Sequence, residues 1–403
     1  MEGRGVRAPP LHAPMRILFI SNYFPGDLGP LARMLAASPD NDVLCASNRQ
    51  RKDYALTGVR RVRLKTSPLF GDAPPSLPGL WEVAVKRGSW GMRTFTSLRE
   101  SWGTPDIIFA TIAAGAAFFA PQAFPGAFLV TYTETGFKPF PHFPEEMRKA
   151  WTLVQSTLFL QANLSYAQGE RQRALFPRGL RAHMRLVTPC VDTEVFSPAA
   201  AGPWTEGESQ GPLLTLYAAG LDGEALSRLL LLGHAVLREL PDCRVVMLTE
   251  NGRLSEALVA ASAAWPAEYR QRFSACASLP FTRYRDLLAA SSLVVCAANG
   301  EAGERAMREC MSCETLLMAP AGAAGFLRPG VNMLERPGDS PLESVLAALG
   351  QHGRPDPAPQ VRMARRNMLA QFSEATVVPR HLAEVMQAYA SWKKERRRGR
   401  ELG

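Results

Sequence analysis

The sequence predicts an α/β protein built as two doubly wound domains facing a cleft. Three observations carry that expectation. Short apolar runs rich in Val, Ile, Leu and Phe alternate with helix-period segments, and this happens in two successive series. Alternating strands and helices build parallel sheets, with ligands at the carboxyl ends of the strands. The chain has 403 residues, long for one doubly wound domain.

In the first series, Arg16–Ser21 reads as a strand, Gly29–Ala37 as a helix, and Asp42–Ala46 and Val59–Lys65 as strands. Pro68–Pro78 is a Pro-rich loop. Trp81–Glu100 carries apolar residues at helical spacing, followed by strands at Asp106–Thr111 and Phe128–Thr133. Glu145–Ala162 is an amphipathic helix, Leu164–Ala167 a strand with a helix through Arg173, and Leu186–Thr188 closes the sheet. Ala199–Pro212 has loop or linker composition. The second series places strands at Leu213–Ala218, Val245–Thr249, Leu293–Ala297 and Leu316–Ala319. Its helices fall at Glu224–Leu240, Arg253–Ala264, Arg283–Ala290, Gly303–Cys313 and Pro341–Leu349, and residues beyond Pro357 read as helices only. The domain expectation is a disordered extension over residues 1–14, domains over 15–190 and 191–375, and a closing helix with a basic tail over 376–403. Met15 stands just before the first strand and is a second candidate start.

Composition narrows the function classes. The 46% hydrophobic and 21% charged content is that of a soluble globular chain. No apolar run is long enough to span a membrane, and residues Met1–Pro14 lack the apolar core of a secretory signal. Much of the net charge of +9 lies in Trp392-Lys393-Lys394-Glu395-Arg396-Arg397-Arg398-Gly399-Arg400. Such a run is either a solvated, frayed terminus or a peripheral contact to anionic lipid. No aromatic interleaving or nucleic-acid motif accompanies it, so no nucleic-acid partner is expected. The seven cysteines, Cys45, Cys190, Cys243, Cys276, Cys296, Cys310 and Cys313, form no disulfide framework and read as reduced thiols of a cytoplasmic protein. Cys310 and Cys313 read as buried small residues on a helix.

The stretch from Gly300 to Cys313 concentrates the chemistry. Glu301 and Glu309 stand seven residues apart in a strand–loop–helix–strand crossover. A helix N-terminus that follows a strand offers free backbone N–H groups and the positive dipole end to an anion. Glu309, two turns in, can reach a polyol such as a ribose, which suits a nucleotide diphosphate-sugar. Taken alone, the two acids also fit the solvated face of an ordinary crossover helix.

Three stretches then resemble the family 4 glycosyltransferases, which have the GT-B fold of two doubly wound, Rossmann-like domains. Pro189-Cys190-Val191-Asp192-Thr193-Glu194-Val195-Phe196-Ser197-Pro198 looks like the family's interdomain signature. Glu301 to Cys313 matches its acid-rich helix, with Glu309-Cys310-Met311-Ser312 standing for Glu-Ala-Met-Ala. Gly330-Val331-Asn332-Met333-Leu334 and Pro337-Gly338-Asp339 are similar to Gly-x-Asn-Gly-Leu and Pro-Gly-Asp. The first half is less typical, though Asn22-Tyr23-Phe24-Pro25-Gly26 and Gln168-Gly169-Glu170 to Pro177 are similar to one subgroup. The resemblance implies retaining transfer of a sugar, of hexosyl type, from a nucleotide diphosphate-sugar, with no metal and no other cofactor. The acceptor, a glycan, a lipid-linked molecule or another, would sit on the first domain. The implied roles are Glu301 at the reacting centre, Glu309 on the ribose, and Gly303, Glu304, Arg305, Gly220 and Arg228 around the donor. The closing helix, Glu374–Lys393, would cross back to the first domain.

The chain departs from the family where cations should be. Leu221 replaces the usual Arg, no Lys follows it, and Asp222 and Glu224 add negative charge. Arg228 is either a substitute or a surface helix arginine. Glu304 stands where Gly is common, with Arg305 beside it, and Glu314 stands where Gly would end the helix. The usual first-domain histidine is replaced by Thr111-Ile112-Ala113-Ala114-Gly115, with His142 the nearby imidazole. These changes leave three readings: an active transferase with a rearranged cation set, a degenerate relative acting as a partner in glycan synthesis, or a GT-B sugar-nucleotide epimerase.

Overall fold

The structure is a computed structural model. It describes residues 14–50, 56–64, 76–112, 115–133, 145–200, 202–204, 211–219, 221, 223–249, 252–277, 279–297, 301–320, 322–335, 341–350 and 359–401. The chain divides into two compact units, one of residues up to Cys190 together with Val377 onward, the other of Val191–Thr376. The expected N-terminal extension, His142 and the Pro-Gly-Asp at 337–339 lie outside the described residues.

The first unit holds strands β1 Arg16–Phe24, β2 Asp42–Gln50, β3 Val59–Arg63, β4 Ile107–Thr111, β5 Phe128–Tyr132, β6 Leu164–Ala167 and β7 Met184–Leu186. Between them lie helices α1 Gly29–Ala36, α2 Leu77–Ser101, α3 Ala120–Ala123, α4 Glu145–Phe159, α5 Glu170–Ala174 and α6 Arg178–Arg181. All pairings are parallel, in the order β3-β2-β1-β4-β5-β6-β7. The alternation along β1 decides its two faces. Ile17 and Phe19 join the core that also holds Val43, Phe109 and Val130. Leu18 and Ile20 join the opposite core with Leu44, Phe95 of α2 and Leu158 of α4. Helix α2 starts four residues earlier than its apolar spacing predicts. Ser76 caps it by accepting from Gly79 N at 3.2 Å, so Pro78 sits in the first turn, where its missing N–H costs nothing.

The second unit holds strands β8 Leu213–Tyr217, β9 Arg244–Thr249, β10 Phe273–Ala277, β11 Leu293–Cys296, β12 Leu317–Ala319 and β13 Leu334–Glu335, in the order β10-β9-β8-β11-β12-β13, again all parallel. Its helices are α7 Gly223–Glu239, α8 Gly252–Ala261, α9 Ala267–Arg272, α10 Phe281–Ala290, α11 Glu301–Ser312, α12 Pro341–Gly350 and α13 Pro359–Asn367. The edge strands β10 and β13, and helix α9, are additions to the expected elements. Strand β10 is half-buried along most of its length and β13 is two residues long, so neither carries a clear apolar pattern. Ala199–Pro212 lies within this unit rather than joining two domains, and its Trp204 is buried against Leu213, Val246, Leu248 and Leu287.

Helix α14, Glu374–Glu401, returns to the first sheet. Its Val378, Leu382, Val385 and Tyr389 fill the core over β1, β4, β5 and β6. The helix runs past Lys393 to Glu401, so the basic run is helical rather than frayed. Arg396 donates to Gly126 O at 2.9 Å and stacks on Trp392, and Lys393 lies over Tyr389. Those contacts spend part of the tail's charge on the protein itself.

Candidate functional site

In the second unit the strand order reverses between β8 and β11, which are direct neighbours. Connections leave that point in opposite directions, which opens a crevice at the strand carboxyl ends. Strand β8 ends there at Tyr217 and β11 at Cys296, and α11 begins a few residues on, at Glu301. The apolar residues Ala306, Met307, Cys310 and Met311 recur at helical spacing and are buried, which fixes the roll of α11.

Glu309 is buried, its side chain only 6% exposed, and both carboxylate oxygens are engaged. Tyr284 of α10 donates its hydroxyl to Oε2 at 2.8 Å. Arg305 donates Nε–H to Oε1 at 2.9 Å. Burial and the adjacent carboxylate push the Tyr284 phenol well above its usual range, so it stays a donor. Tyr284 in turn packs edge-on to Phe196 of the stretch that resembles the interdomain signature.

That signature is a brace within the second unit. Asp192 Oδ1 accepts from Glu194 N at 3.2 Å and Val195 N at 3.0 Å, turning the chain. The turn drives Phe196 into the core against Phe281. Phe196 O then accepts from Ser312 Oγ of α11 at 2.6 Å. Arg365 of α13 reaches Ser312 O, Phe196 O and Thr193 O, joining three segments. The Gly-Val-Asn stretch is a loop brace too. Gly330 takes a left-handed φ of +73°, and Asn332 ties Arg328 N and Phe326 O together at 2.7 and 3.0 Å.

The other expected site residues fall as follows. Glu301 opens α11, and Gly303 is buried in its first turn. Glu304 has the buried Arg308 beside it at 3.7 Å, so its counter-charge is Arg308, whereas Arg305 pairs with Glu309. Arg308 lies over the rings of Phe326 and Phe372. Arg228 lies on an exposed face of α7, paired with Glu224 one turn away. Gly220 lies outside the described residues, and Leu221 is described but has no charge to offer. Glu314 adopts φ 58°, the left-handed conformation that ends helices and that glycine takes without strain. Tyr284 and Arg365 were missed. They lie 25 residues before Glu309 and 53 after Ser312, and no local pattern announces either. Among the described residues no three His, Cys, Asp or Glu side chains gather as a metal site would need. The seven cysteines are free, and burial pushes the thiols of Cys243 and Cys313 up to about 11 and about 12.

Two all-parallel sheets with this switch point, and a last helix returned to the first sheet, have the architecture of the GT-B glycosyltransferases. Solved structures align over nearly the whole chain. HepE from Anabaena, in complex with UDP and glucose, shows 16% identity and a TM-score of 0.64 over 93% of this chain and all of its own. Sucrose-phosphate synthase from Thermosynechococcus elongatus shows 17% and 0.65 over 94% of this chain and all of its own. WaaG, a glycosyltransferase involved in lipopolysaccharide biosynthesis, shows 13% and 0.63 over 92% of this chain and 99% of its own. At such identities the likeness speaks for the fold. The family evidence is a sequence match of residues 39–196 to the profile described as "Glycosyl transferase family 4 group". That segment is similar to the family 4 group of glycosyltransferases, and the fold of the chain is GT-B. The matched segment lies largely in the first unit, the half whose motifs are the less typical. No curated protein matches the chain by sequence.

Proposed function

We propose that the protein is a retaining, hexosyl-type glycosyltransferase that takes its donor as a nucleotide diphosphate-sugar on the second unit, at the β8–β11 switch point. The observation that carries the reading is Glu309, a buried carboxylate held by Tyr284 and Arg305 beside the carboxyl ends of the strands. A carboxylate fixed in this way accepts two hydroxyl donors with little reorganisation, which fits the vicinal hydroxyls of a ribose. The first turn of α11 offers unpaired N–H groups to the diphosphate. Glu301, at its start, is assigned to the donor sugar at the reacting centre. HepE is described in complexes with UDP and UDP-glucose, which makes uridine diphosphate the first nucleotide to try. The acceptor is assigned to the first unit, as a glycan or a lipid-linked molecule. A cytoplasmic location is part of the same reading.

Purified protein is to be screened against UDP-, GDP-, ADP- and TDP-sugars by thermal shift and donor hydrolysis. A donor that raises the melting temperature and is slowly hydrolysed supports the reading. Hydrolysis unaffected by EDTA supports a metal-free site. Glu309→Ala weakens donor binding by about 10- to 100-fold, the worth of a charge-assisted hydrogen bond. Glu301→Ala lowers kcat more than it raises KM, because its partner is at the reacting centre. Binding without hydrolysis or transfer would favour the degenerate, partner-type protein, and no binding at millimolar concentration would sink the donor site.

A further inference from the structure

We propose that the first unit holds a second ligand site, a cavity of about 400 Å³ at the amino ends of β4 and β5 that takes a phosphorylated sugar or polyol. The site is independent of the donor reading. It lies within the first unit, at the strand ends opposite to those where doubly wound sheets bind their substrates. Its volume falls in the range of small-molecule sites, roughly 300–1,000 Å³, and leaves room for more than a bare inorganic anion. Three segments enclose it. The turn before β5 brings Phe124, the turn between α4 and β6 brings Gln161 and Asn163, and the last turns of α14 bring Trp392 and Arg396.

Arg396 is held in place without a ligand. Its Nη1 donates to Gly126 O at 2.9 Å, and the guanidinium lies over the Trp392 ring, which Phe128 and Tyr389 support in turn. Among the described residues it has no carboxylate partner, so the rest of its planar fork of donors is uncommitted. Asn163 is half used in the same way. Its Oδ1 accepts from Leu129 N at 2.8 Å, which fixes the amide and leaves Nδ2 as a donor. Gln161 is tied to Gln122 and to Thr157 O, with a lone pair and an N–H to spare on its amide. Amides that donate and accept suit hydroxyl groups, Phe124 suits a carbon frame, and a guanidinium suits a phosphate. The surroundings favour a dianion over a monoanion. Lys393, Lys394, Arg396, Arg397 and Arg398 stand against the single acid Glu395. Asp106, at the same strand ends, is already bonded to Arg16 N and Tyr389 Oη. A ligand here is held away from the carboxyl ends of the sheet, as an anchor rather than a reacting substrate.

Isothermal titration of glucose 6-phosphate, glucose and inorganic phosphate into the full chain tests this, with and without saturating UDP. A second arm measures binding to phosphatidylcholine vesicles with and without phosphatidylinositol 4-phosphate, whose headgroup is a polyol carrying a phosphate monoester, in 500 mM salt. The sugar phosphate should bind more tightly than glucose or phosphate, and UDP should not displace it. Arg396→Gln should lower its affinity by about 10- to 100-fold, and Arg396→Lys should keep part of it. Asn163→Asp keeps an oxygen for Leu129 N, so the fold is spared, and it should repel the ligand as strongly. Melting curves confirm that each variant is folded. Vesicle binding that needs the phosphoinositide and is lost in Arg396→Gln assigns the site to a lipid headgroup. Soluble binding lost in Arg396→Gln, with vesicles unaffected, assigns it to a free sugar phosphate. Displacement by UDP, affinity unchanged in both Arg396→Gln and Asn163→Asp, or inorganic phosphate binding as tightly as the sugar phosphate overturns the proposal. So does the failure of every soluble probe at 10-millimolar order together with the vesicle arm.

Discussion

Single residues in α11 carry opposite kinds of consequence. Glu309 is set by packing and partners, Tyr284 and Arg305, and the proposed function gives it a role in donor binding. Glu314, two residues past the helix, is a local cost. Its φ of 58° is one that a side chain with a Cβ adopts at roughly 1–2 kcal/mol. The chain closes behind it, with Thr315 N donating to Cys310 O at 3.3 Å. Arg365 Nε lies 3.4 Å from the Glu314 carboxylate and returns part of that cost. Glu314→Gly should therefore stabilise the second unit by about 1 kcal/mol, less the lost pair. A urea titration followed by tryptophan fluorescence measures it. A midpoint that falls would show that the Arg365 contact outweighs the strain.

At the scale of elements, α14 is the helix whose packing can be argued most directly. Leu382 and Val385 are fully buried against the first sheet. Leu382→Ala should destabilise the first unit by about 2–5 kcal/mol, read as a lowered urea midpoint with the slope unchanged. The same helix carries a titrating group. His381 is buried, with Nε2 2.7 Å from Tyr132 Oη and its ring edge-on to Tyr132 and Tyr166. Burial pulls its pKa from 6.5 down to about 4, against the opposing pull of Glu384, which itself pairs with Arg185 at 2.6 Å. The unfolded chain takes up this proton below about pH 6.5, and the folded one only near 4, so the unfolded state holds more protons in between. Stability is thus full above pH 6.5 and falls as pH drops toward 4, by about 2 kcal/mol at pH 5. Denaturation at pH 7.5 and pH 5.0 checks it. His381→Gln should flatten the difference, and an equal slope in that variant would assign the effect to other groups.

For the molecule as a whole, the +9 net charge is unevenly placed. The last turns of α14 lie beside Asp106, Gly126 and Phe128, at the amino ends of β4 and β5. Lys394, Arg397 and Arg398 remain exposed there. Among the described residues no helix is long and apolar enough to cross a membrane. Any membrane contact through these residues is electrostatic and screened over about 8 Å at physiological salt. Co-sedimentation with phosphatidylserine vesicles should fall steeply between 50 mM and 500 mM salt, and in Lys394→Glu/Arg397→Glu/Arg398→Glu. Binding indifferent to both would place the contact elsewhere. The basic turns sit at the sheet edge opposite to the carboxyl ends of β4 and β5, so a surface held there would not cover those ends.

The sequence by itself determined the two βα series, the crossover helix with its acids, and the helix that follows them. Hydrophobic period is a local property, and a strand buried on both faces, such as Leu293–Cys296, writes it in every residue. The half-buried β10 and the two-residue β13 write almost none, and both escaped. The tail past Lys393 continues as helix because Trp392 and Arg396 find partners at Phe128 and Gly126, which are remote in sequence. Partner choice was likewise decided by the tertiary structure alone. Glu304 takes Arg308, Glu309 takes Arg305 and Tyr284, and Arg228 turns outward to Glu224. A hydrogen bond is won within tenths of an ångström and tens of degrees, and that geometry is set by how whole elements pack. Tyr284 reaches Glu309 because Phe196 and Phe281 seat α10 beside α11, a relation that no spacing along the chain contains.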